Sequence, residues 1–185
     1  MTATAKLDTQ EVVNLAETCS FESVGTVDVD DLEVNPAVRD MCAAGRCKAY
    51  GKNWMCPPHC GTLDEFASRI AAFKRCVVLQ TVMDLEDEFD FETMIEAEKT
   101  HKARFLNLAD ELRTRYDNNS YYLLAAGTCT LCPTCSCPEE PCRNPQRALV
   151  SMEAAGLLVS DVCVKADIPY NHGKNTIAYT SCVLV

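Results

Sequence analysis

Residues 121–145 read YYLLAAGTCTLCPTCSCPEEPCRNP, an apolar segment that leads directly into five cysteines. The apolar segment, residues 121–126, predicts a buried strand because it is a short apolar run bounded by a loop. The cysteines follow with the spacing C-x2-C-x2-C-x-C-x4-C. Thiols gathered at such short separations are typical of a metal site rather than of a hydrophobic core. The sequence therefore predicts a sheet with a metal-binding loop at the end of one strand.

The spacing within this second cysteine group, Cys129 to Cys142, favours an iron–sulfur cluster. Three cysteines in C-x2-C-x2-C order require successive tight turns that aim three sulfurs at one point, and a fourth cysteine completes a [4Fe–4S] cube. We predict four ligands here: Cys129, Cys132, Cys135 and Cys142. One zinc ion is the alternative, although zinc usually takes cysteines in C-x2-C pairs. Cys137 is a less suitable ligand because it lies only two residues beyond Cys135.

A first cysteine group lies upstream with the spacing C-x4-C-x8-C-x3-C, and its members are Cys42, Cys47, Cys56 and Cys60. This spacing suits either zinc or a second iron–sulfur cluster. Pro57 follows Cys56, as a proline follows the cysteine that serves the other cluster in bacterial ferredoxins, so ligands could be shared between the groups. His59 is a further candidate ligand, although four thiolates are the usual ligand set of a cluster.

Composition restricts the class of protein. The chain has 185 residues, 48% of them hydrophobic, and a formal charge of −10. This length suits one domain, residues 1–185, and the negative charge argues against nucleic-acid binding. No apolar run approaches the roughly 18 residues of a membrane span. The first ten residues lack the apolar core of a signal peptide, so we expect a cytoplasmic protein, in which clustered cysteines are ligands rather than disulfides.

Helical and strand patterns alternate along the chain. The predicted helices are residues 8–17, 62–73, 91–116 and 145–156, and the predicted strands are residues 24–29, 76–83, 121–126, 159–165 and 176–185. The last strand is apolar on both faces, which places it at the centre of the sheet. These patterns predict an α/β or α+β fold, with a mixed central sheet flanked by helices and both cysteine loops at one rim.

The remaining cysteines and histidines have structural interpretations. Four cysteines lie among apolar residues and are expected to be buried as small hydrophobic side chains: Cys19, Cys76, Cys163 and Cys182. His101 is expected to be a lone helical residue without a partner, and His172 to lie in a turn. The sequence shows no glycine-rich phosphate loop, no Ser/His/Asp order and no paired carboxylates, so it offers no machinery for hydrolase or nucleotide chemistry.

The residues around both cysteine groups resemble the DUF2284 family of predicted metal-binding proteins, which occurs mostly in anaerobic bacteria and archaea. The resemblance is strongest over residues 42–185. Its motifs are Cys42 with CKAYGKNWMCPPHC at 47–60, then GTCTLCPTC at 127–135, PCRNP at 141–145 and SMEAAG at 151–156. The resemblance implies a metal centre, iron–sulfur in kind, but no particular reaction. Cys137 is extra to the shared pattern, which argues against a role as a ligand.

These observations lead to three hypotheses about function. The first is an iron–sulfur protein with one or two [4Fe–4S] centres that works in electron transfer or redox coupling with a partner protein. The second is a structural zinc module that mediates protein interaction. The third is an enzyme whose cluster binds substrate at an open iron, or a carrier that delivers clusters or metal.

Overall fold

A four-stranded antiparallel sheet forms the centre of the fold in the computed structural model, which describes residues 7–185 (the backbone alone for residues 45 and 46). The strands are β1 (Ser23–Asp28), β2 (Arg75–Asp84), β3 (Tyr122–Leu124) and β4 (Thr176–Leu184). Their order across the sheet is β1-β2-β4-β3. The C-terminal strand β4 therefore lies between two neighbours, as its apolar character on both faces predicts.

Five α-helices surround this sheet in the described residues: α1 (Thr9–Thr18), α2 (Pro36–Met41), α3 (Leu63–Ile70), α4 (Phe91–Arg115) and α5 (Val159–Lys165). Local signals determine where several of them begin. The Asp8 side chain accepts a hydrogen bond from the backbone N–H of Glu11 at 3.0 Å and caps α1. Thr62 and Glu65 form a reciprocal capping box at the start of α3.

Two hydrophobic layers lie on the two faces of the sheet, because successive side chains of a strand point in opposite directions. On β2, Val77 and Leu79 pack against α1 and α4. Cys76 and Val78 face the other layer, which contains side chains of α3, α5 and residues 150–157. The sheet is thus covered on both faces, and the α+β class predicted from the sequence is confirmed.

The expectation of a mixed sheet is wrong. Strand β2 pairs antiparallel with β1 and with β4, and β3 pairs antiparallel with β4. No pair in this sheet therefore needs the long crossover connection that parallel strands require. The prediction that both cysteine loops lie at one rim of the sheet stays a prediction.

The helix predicted at residues 145–156 does not form. The carbonyl of Asn144 accepts a hydrogen bond from the N–H of Ala148 at 2.9 Å, which closes a single turn. The N–H of Met152 instead donates to the carbonyl of Ala125 at 3.0 Å, so the backbone turns toward the end of β3. The segment then makes a second turn and ends at Gly156, whose φ of +87° suits glycine. A long-range backbone pairing has replaced the helical hydrogen bonds.

Residues 159–165, predicted as a strand, form helix α5. Three valines make the segment resemble a strand in composition, but tertiary packing overrides that preference. Val162 and Cys163 are buried in the layer beside β1. Lys165 pairs with Asp161 one turn earlier at 2.7 Å, which is a helical spacing.

His101 has two hydrogen-bond partners, contrary to the expectation of a lone residue. It lies on α4 and is fully buried against the sheet. Its Nδ1 lies 3.0 Å from Thr81 Oγ1, and its Nε2 lies 2.7 Å from Ser181 Oγ. Both partners lie on strands, so this histidine joins α4 to the sheet. His172 precedes β4, and its Nε2 lies 3.0 Å from Gln80 Oε1.

We expect the stability of the fold to decrease in mild acid because of His101. Burial, reinforced by Arg104 and Lys102, lowers the pKa of His101 to about 3. Between the ordinary histidine pKa and that value, the unfolded chain binds a proton that the folded chain does not, so stability falls as the pH falls. From pH 8 to pH 5 this amounts to about 2 kcal/mol of unfolding free energy.

Denaturant unfolding at both pH values, for the unmodified protein and for His101→Gln, measures this effect. Acid also acts on other titratable groups in both proteins. The difference between the two pH dependences therefore isolates His101. Identical pH dependences would contradict the prediction.

Within residues 7–185, no helix combines the length and the apolar character that crossing a lipid bilayer requires.

Candidate metal centre

The first cysteine group follows α2 and occupies the loop that leads into α3. The Asn35 side chain caps α2 by accepting from the N–H of Ala37 at 2.9 Å. Cys42 begins the turn that continues this helix, and the remaining thiols lie in the loop beyond it. In that loop the N–H of Cys60 donates to the carbonyl of Cys56 at 3.2 Å. The loop thus ends at the capping box of α3 and is held by its own turns.

The four thiols of the first group interact electrostatically. Burial raises the pKa of Cys56 to about 11, opposed by a hydrogen bond with Thr128 and reinforced by the charges of Cys47, Cys60 and Cys42. Burial and the charge of Cys47 also raise the pKa of Cys42. Groups act on one another in this way only when they lie close together. The fold therefore gathers these four cysteines in one region.

Four of the five cysteines of the second group also act on one another electrostatically. Burial raises the pKa of Cys129, as do the charges of Cys142, Cys135 and Cys132, whereas a hydrogen bond with the backbone of Leu131 lowers it. Cys137 does not contribute to the change in the pKa of Cys129. Its own pKa is raised by burial and then by Cys135 and Glu139. These four cysteines line one cavity, and Cys137 is not among its lining residues.

The two cysteine loops contact each other. Asn53 is buried and donates from Nδ2 to Thr128 Oγ1 at 3.1 Å and to the Cys129 carbonyl at 3.0 Å. Trp54 Nε1 donates to the carbonyl of Glu140 at 2.9 Å. The Cys56 thiol lies 3.5 Å from Thr128 Oγ1. Residues of the first loop therefore fix the position of the second.

Two polar side chains donate hydrogen bonds to candidate ligand sulfurs. Arg39, on α2, donates from a terminal guanidinium nitrogen to Cys60 Sγ at 3.1 Å. Asn144 donates from Nδ2 to Cys132 Sγ at 3.2 Å. Hydrogen bonds to ligand sulfur orient it and stabilise its negative charge, which tunes a metal centre. Spacing predicts the cysteines, but these donors are visible only in three dimensions.

The structure also shows the position of His59, the less favoured candidate ligand, and the state of the cysteines. His59 is exposed and stacks edge-on against Trp54, with ring centroids 5.3 Å apart. Among the side chains that the structure describes, no three Cys, His, Asp or Glu groups form a ready-made cage for a single metal ion. All thirteen cysteines, each within residues 7–185, are free thiols. The donor chemistry that these two loops offer is thiol sulfur, which suits iron–sulfur clusters and zinc alike.

Comparison with known families agrees with this donor chemistry. Residues 25–185 match the family described as "Predicted metal-binding protein (DUF2284)". The chain belongs to the DUF2284 family. No curated protein and no solved structure matches it. Membership of DUF2284 supports metal binding by a cysteine-rich chain, and it leaves open which metal is bound. The match begins upstream of the first cysteine group and includes both groups, as the sequence resemblance implies.

Several residues of interest were not predicted from the sequence. Asn144 directly precedes the helix predicted at residues 145–156, yet its side chain contacts Cys132 Sγ. Asn53 was not singled out, although it links the two loops. Among the four cysteines expected in the core, Cys76, Cys163 and Cys182 are fully buried, whereas Cys19 is partly exposed at the end of α1.

Proposed function

We propose that this DUF2284 protein is an iron–sulfur protein that carries two [4Fe–4S] centres and transfers electrons to or from a partner protein. The observation that carries this proposal is the close spacing of eight cysteines in two loops that hydrogen-bond to each other. Cys42, Cys47, Cys56 and Cys60 would hold one centre, and Cys129, Cys132, Cys135 and Cys142 would hold the other. When bound, such centres accept and release single electrons.

The contact between the two loops supports a redox role. Asn53 links the first loop to Thr128 and Cys129, and the Cys56 thiol lies 3.5 Å from Thr128 Oγ1. Two centres held by these loops would be neighbours, which suits passage of an electron between them. A cytoplasmic location is part of the proposal, because a reducing compartment keeps thirteen cysteines free to serve as ligands.

Anaerobic purification followed by metal and sulfide analysis tests the proposal. Two [4Fe–4S] centres hold about eight iron and about eight acid-labile sulfide ions per chain. We expect a brown protein with broad visible absorbance that bleaches on reduction. A colourless protein with stoichiometric zinc and no sulfide would contradict the proposal and would favour the structural zinc module instead.

Arg39 is expected to raise the reduction potential of the first centre. Its guanidinium contacts Cys60 Sγ and also donates to the Ala154 carbonyl at 2.9 Å. A positive charge and a hydrogen bond at a ligand sulfur favour the reduced, more negative state of a cluster. Arg39→Gln should therefore lower the midpoint potential of one centre and leave the other unchanged.

A redox titration followed by EPR measures both potentials. Arg75→Gln is the matched control, because Arg75 pairs with Asp28 at 2.6 Å at the end of β1. Loss of the Arg39 hydrogen bonds also costs about 1–3 kcal/mol of stability, so unfolding should be measured in parallel. An unchanged pair of potentials in Arg39→Gln would contradict the prediction.

A cleft beside Cys60 favours a second candidate function, an enzyme that binds a small anion next to the first centre. The cleft has a volume of about 610 Å³, and its lining includes Cys60, Arg69, Tyr122 and Gln146. Arg69 lies over the Tyr122 ring at 4.0 Å, and it has no carboxylate partner among the described residues. Pockets of this size commonly bind small molecules.

EPR of the reduced protein before and after addition of acetate, citrate or inorganic phosphate tests this candidate. A change in the spectrum of the first centre that Arg69→Gln abolishes would support an anion site. Arg115→Gln is the control, because Arg115 is also helical and exposed but pairs with Glu111. If none of these anions changes the EPR spectrum, the result would count against an anion site.

A further inference from the structure

Three large apolar side chains are exposed to solvent close together, where the loop after β2 leads into α4. Phe89 is 68% exposed, Phe91 is 64% exposed and Ile95 is 53% exposed. Phe91 and Ile95 lie one turn apart on α4 and therefore on the same face of that helix. Single exposed apolar residues are ordinary, whereas a group of them commonly marks an interaction surface. We call these three side chains the α4 surface.

The backbone holds the α4 surface in a fixed shape. The N–H of Phe91 donates to the Phe89 carbonyl at 2.7 Å. Asp90 caps α4, because its Oδ1 accepts a hydrogen bond from the N–H of Thr93 at 3.1 Å. The Oδ2 of the same carboxylate accepts from the N–H of Glu86 at 3.1 Å. The two phenyl rings thus project from an ordered turn, so a partner would lose little free energy in ordering it.

Acidic side chains surround the α4 surface. Residues 84–96 contain seven carboxylates: Asp84, Glu86, Asp87, Glu88, Asp90, Glu92 and Glu96. None of them belongs to an ion pair among the side chains that the structure describes. On α4, Lys99 follows Ile95 by one helical turn. Lys174 adjoins Asn175, whose side chain donates to the Glu86 carbonyl at 3.1 Å. Seven carboxylates outweigh these two lysines, so the apolar centre has a strongly negative rim.

This combination determines which kind of partner fits. Binding surfaces usually have an apolar, often aromatic centre and a polar rim. The negative rim repels nucleic acid and anionic lipid, and a second copy of the chain would bring the same carboxylates face to face. It attracts a partner whose apolar side chains are flanked by lysine or arginine. Two of the three apolar side chains lie on an exposed helical face, against which another helix can pack.

We propose that the α4 surface is a docking site for a partner protein, which binds it with a basic amphipathic helix. The apolar stripe of that helix covers Phe89, Phe91 and Ile95, while its lysines or arginines face the carboxylates of residues 84–96. Apolar burial supplies affinity, and charge speeds and orients the encounter. This inference goes beyond the proposed function, because it requires no metal centre.

A designed peptide tests the inference on the anaerobically purified full chain. The probe is a fluorescent peptide of about 18 leucine and lysine residues, patterned as an amphipathic helix. We expect its fluorescence anisotropy to rise on binding and its affinity to fall as salt is added. Replacing its leucines with serine removes the apolar stripe, and replacing its lysines with glutamate reverses its charge. Each change should weaken binding at least about tenfold. If the leucine–lysine peptide does not bind, or the serine peptide binds equally well, the inference is wrong.

Truncation of the two phenyl rings should weaken binding of the leucine–lysine peptide at least about tenfold. The variant carries Phe89→Ala and Phe91→Ala, and it should stay folded because both side chains are exposed. Val164→Ala is the matched control, because Val164 is 72% exposed on α5, which packs on the other face of the sheet from α4. Equal weakening in the two proteins would overturn the inference.

The charge of the rim is tested separately. Glu88→Gln with Glu92→Gln removes two exposed carboxylates beside the phenyl rings and should reduce the salt dependence of peptide binding. Asp30→Asn with Asp31→Asn removes two exposed carboxylates that follow β1, near the start of β2 rather than its end. This control should leave the salt dependence unchanged. Equal effects in the two variants would mean that only the net charge of −10 attracts the peptide, and the inference would be wrong.

Two further results would identify a different occupant of the α4 surface. One is a dimer of the unmodified protein in sedimentation that Phe89→Ala with Phe91→Ala dissociates, which would mean that the surface joins two copies of the chain. The other is binding to vesicles of phosphatidylcholine and phosphatidylserine that the same variant abolishes, which would indicate a membrane surface. Either result would overturn the inference. None of these measurements depends on iron, so the iron and sulfide content tests the proposed function separately.

Discussion

Cys132→Ala is expected to remove about half of the bound iron, from about eight to about four ions per chain. Cys132 is the middle member of the C-x2-C-x2-C triplet, and its sulfur accepts a hydrogen bond from Asn144 Nδ2 at 3.2 Å. Its charge also acts on Cys129. Loss of this thiolate should therefore prevent assembly of the second centre and leave the first intact. Iron and sulfide analysis of anaerobically purified protein measures the effect.

Cys163→Ala is the matched control for this experiment. Cys163 is fully buried on α5, and its sulfur accepts a hydrogen bond from Gln80 Nε2 at 3.4 Å. It belongs to the hydrophobic layer beside β1 and is not among the charges that act on Cys56 or Cys129. This variant should keep about eight iron ions per chain. Equal iron loss in the two variants would show that the division into ligand and core cysteines is wrong.

The elements that could be predicted from sequence are those with a strong local signal. The capping box of Thr62 and Glu65 predicts the start of α3. The apolar stripe of α4 predicts the bounds of that helix to within one residue. Buried strands such as β2 are short apolar runs, and the apolar final strand proved to be central in the sheet. In each case the hydrophobic period and the caps agree with the tertiary structure.

The elements that were mispredicted have their hydrogen bonds or packing decided elsewhere in the chain. Residues 145–156 begin with a helical signal, but the N–H of Met152 donates a hydrogen bond to the Ala125 carbonyl at 3.0 Å. Residues 159–165 have a strand-like composition, yet they form helix α5, which packs against β1. Local propensity cannot anticipate such partners, because the competing contact lies far away in sequence.

The residues of the candidate site also fall into those that the sequence predicts and those that only the fold reveals. Cysteine spacing predicts two groups of four thiols, since tight turns can bring cysteines that are close in sequence to one point. Spacing also argues against Cys137 as a ligand, and this stays a prediction. The contacts made by Asn53 and Arg39 join residues from different parts of the chain, so only the fold brings them to the cysteine loops.

Gly25→Ala is expected to destabilise the fold by about 3 kcal/mol, at the upper end of what overpacking a core usually costs. Gly25 lies on β1 opposite Val78, where the end of α5 crosses the strand. A Cβ atom at this position would lie 2.4 Å from the carbonyl oxygen of Ala166 and 2.8 Å from Ile168 Cγ2. The first of these atoms belongs to the backbone, so the end of α5 would have to move. Thermal or denaturant unfolding measures the loss.

Ser23→Ala is the control for Gly25→Ala, because Ser23 lies two residues earlier on the same face of β1. This variant should change stability by no more than about 0.5 kcal/mol. Neither residue belongs to a cysteine group, so the folded fraction of Gly25→Ala should keep its full iron content, whereas Cys132→Ala should lose iron. Unchanged stability in Gly25→Ala would mean that α5 does not pack against β1. Iron loss per folded molecule would mean that this face of the sheet also supports the metal centres.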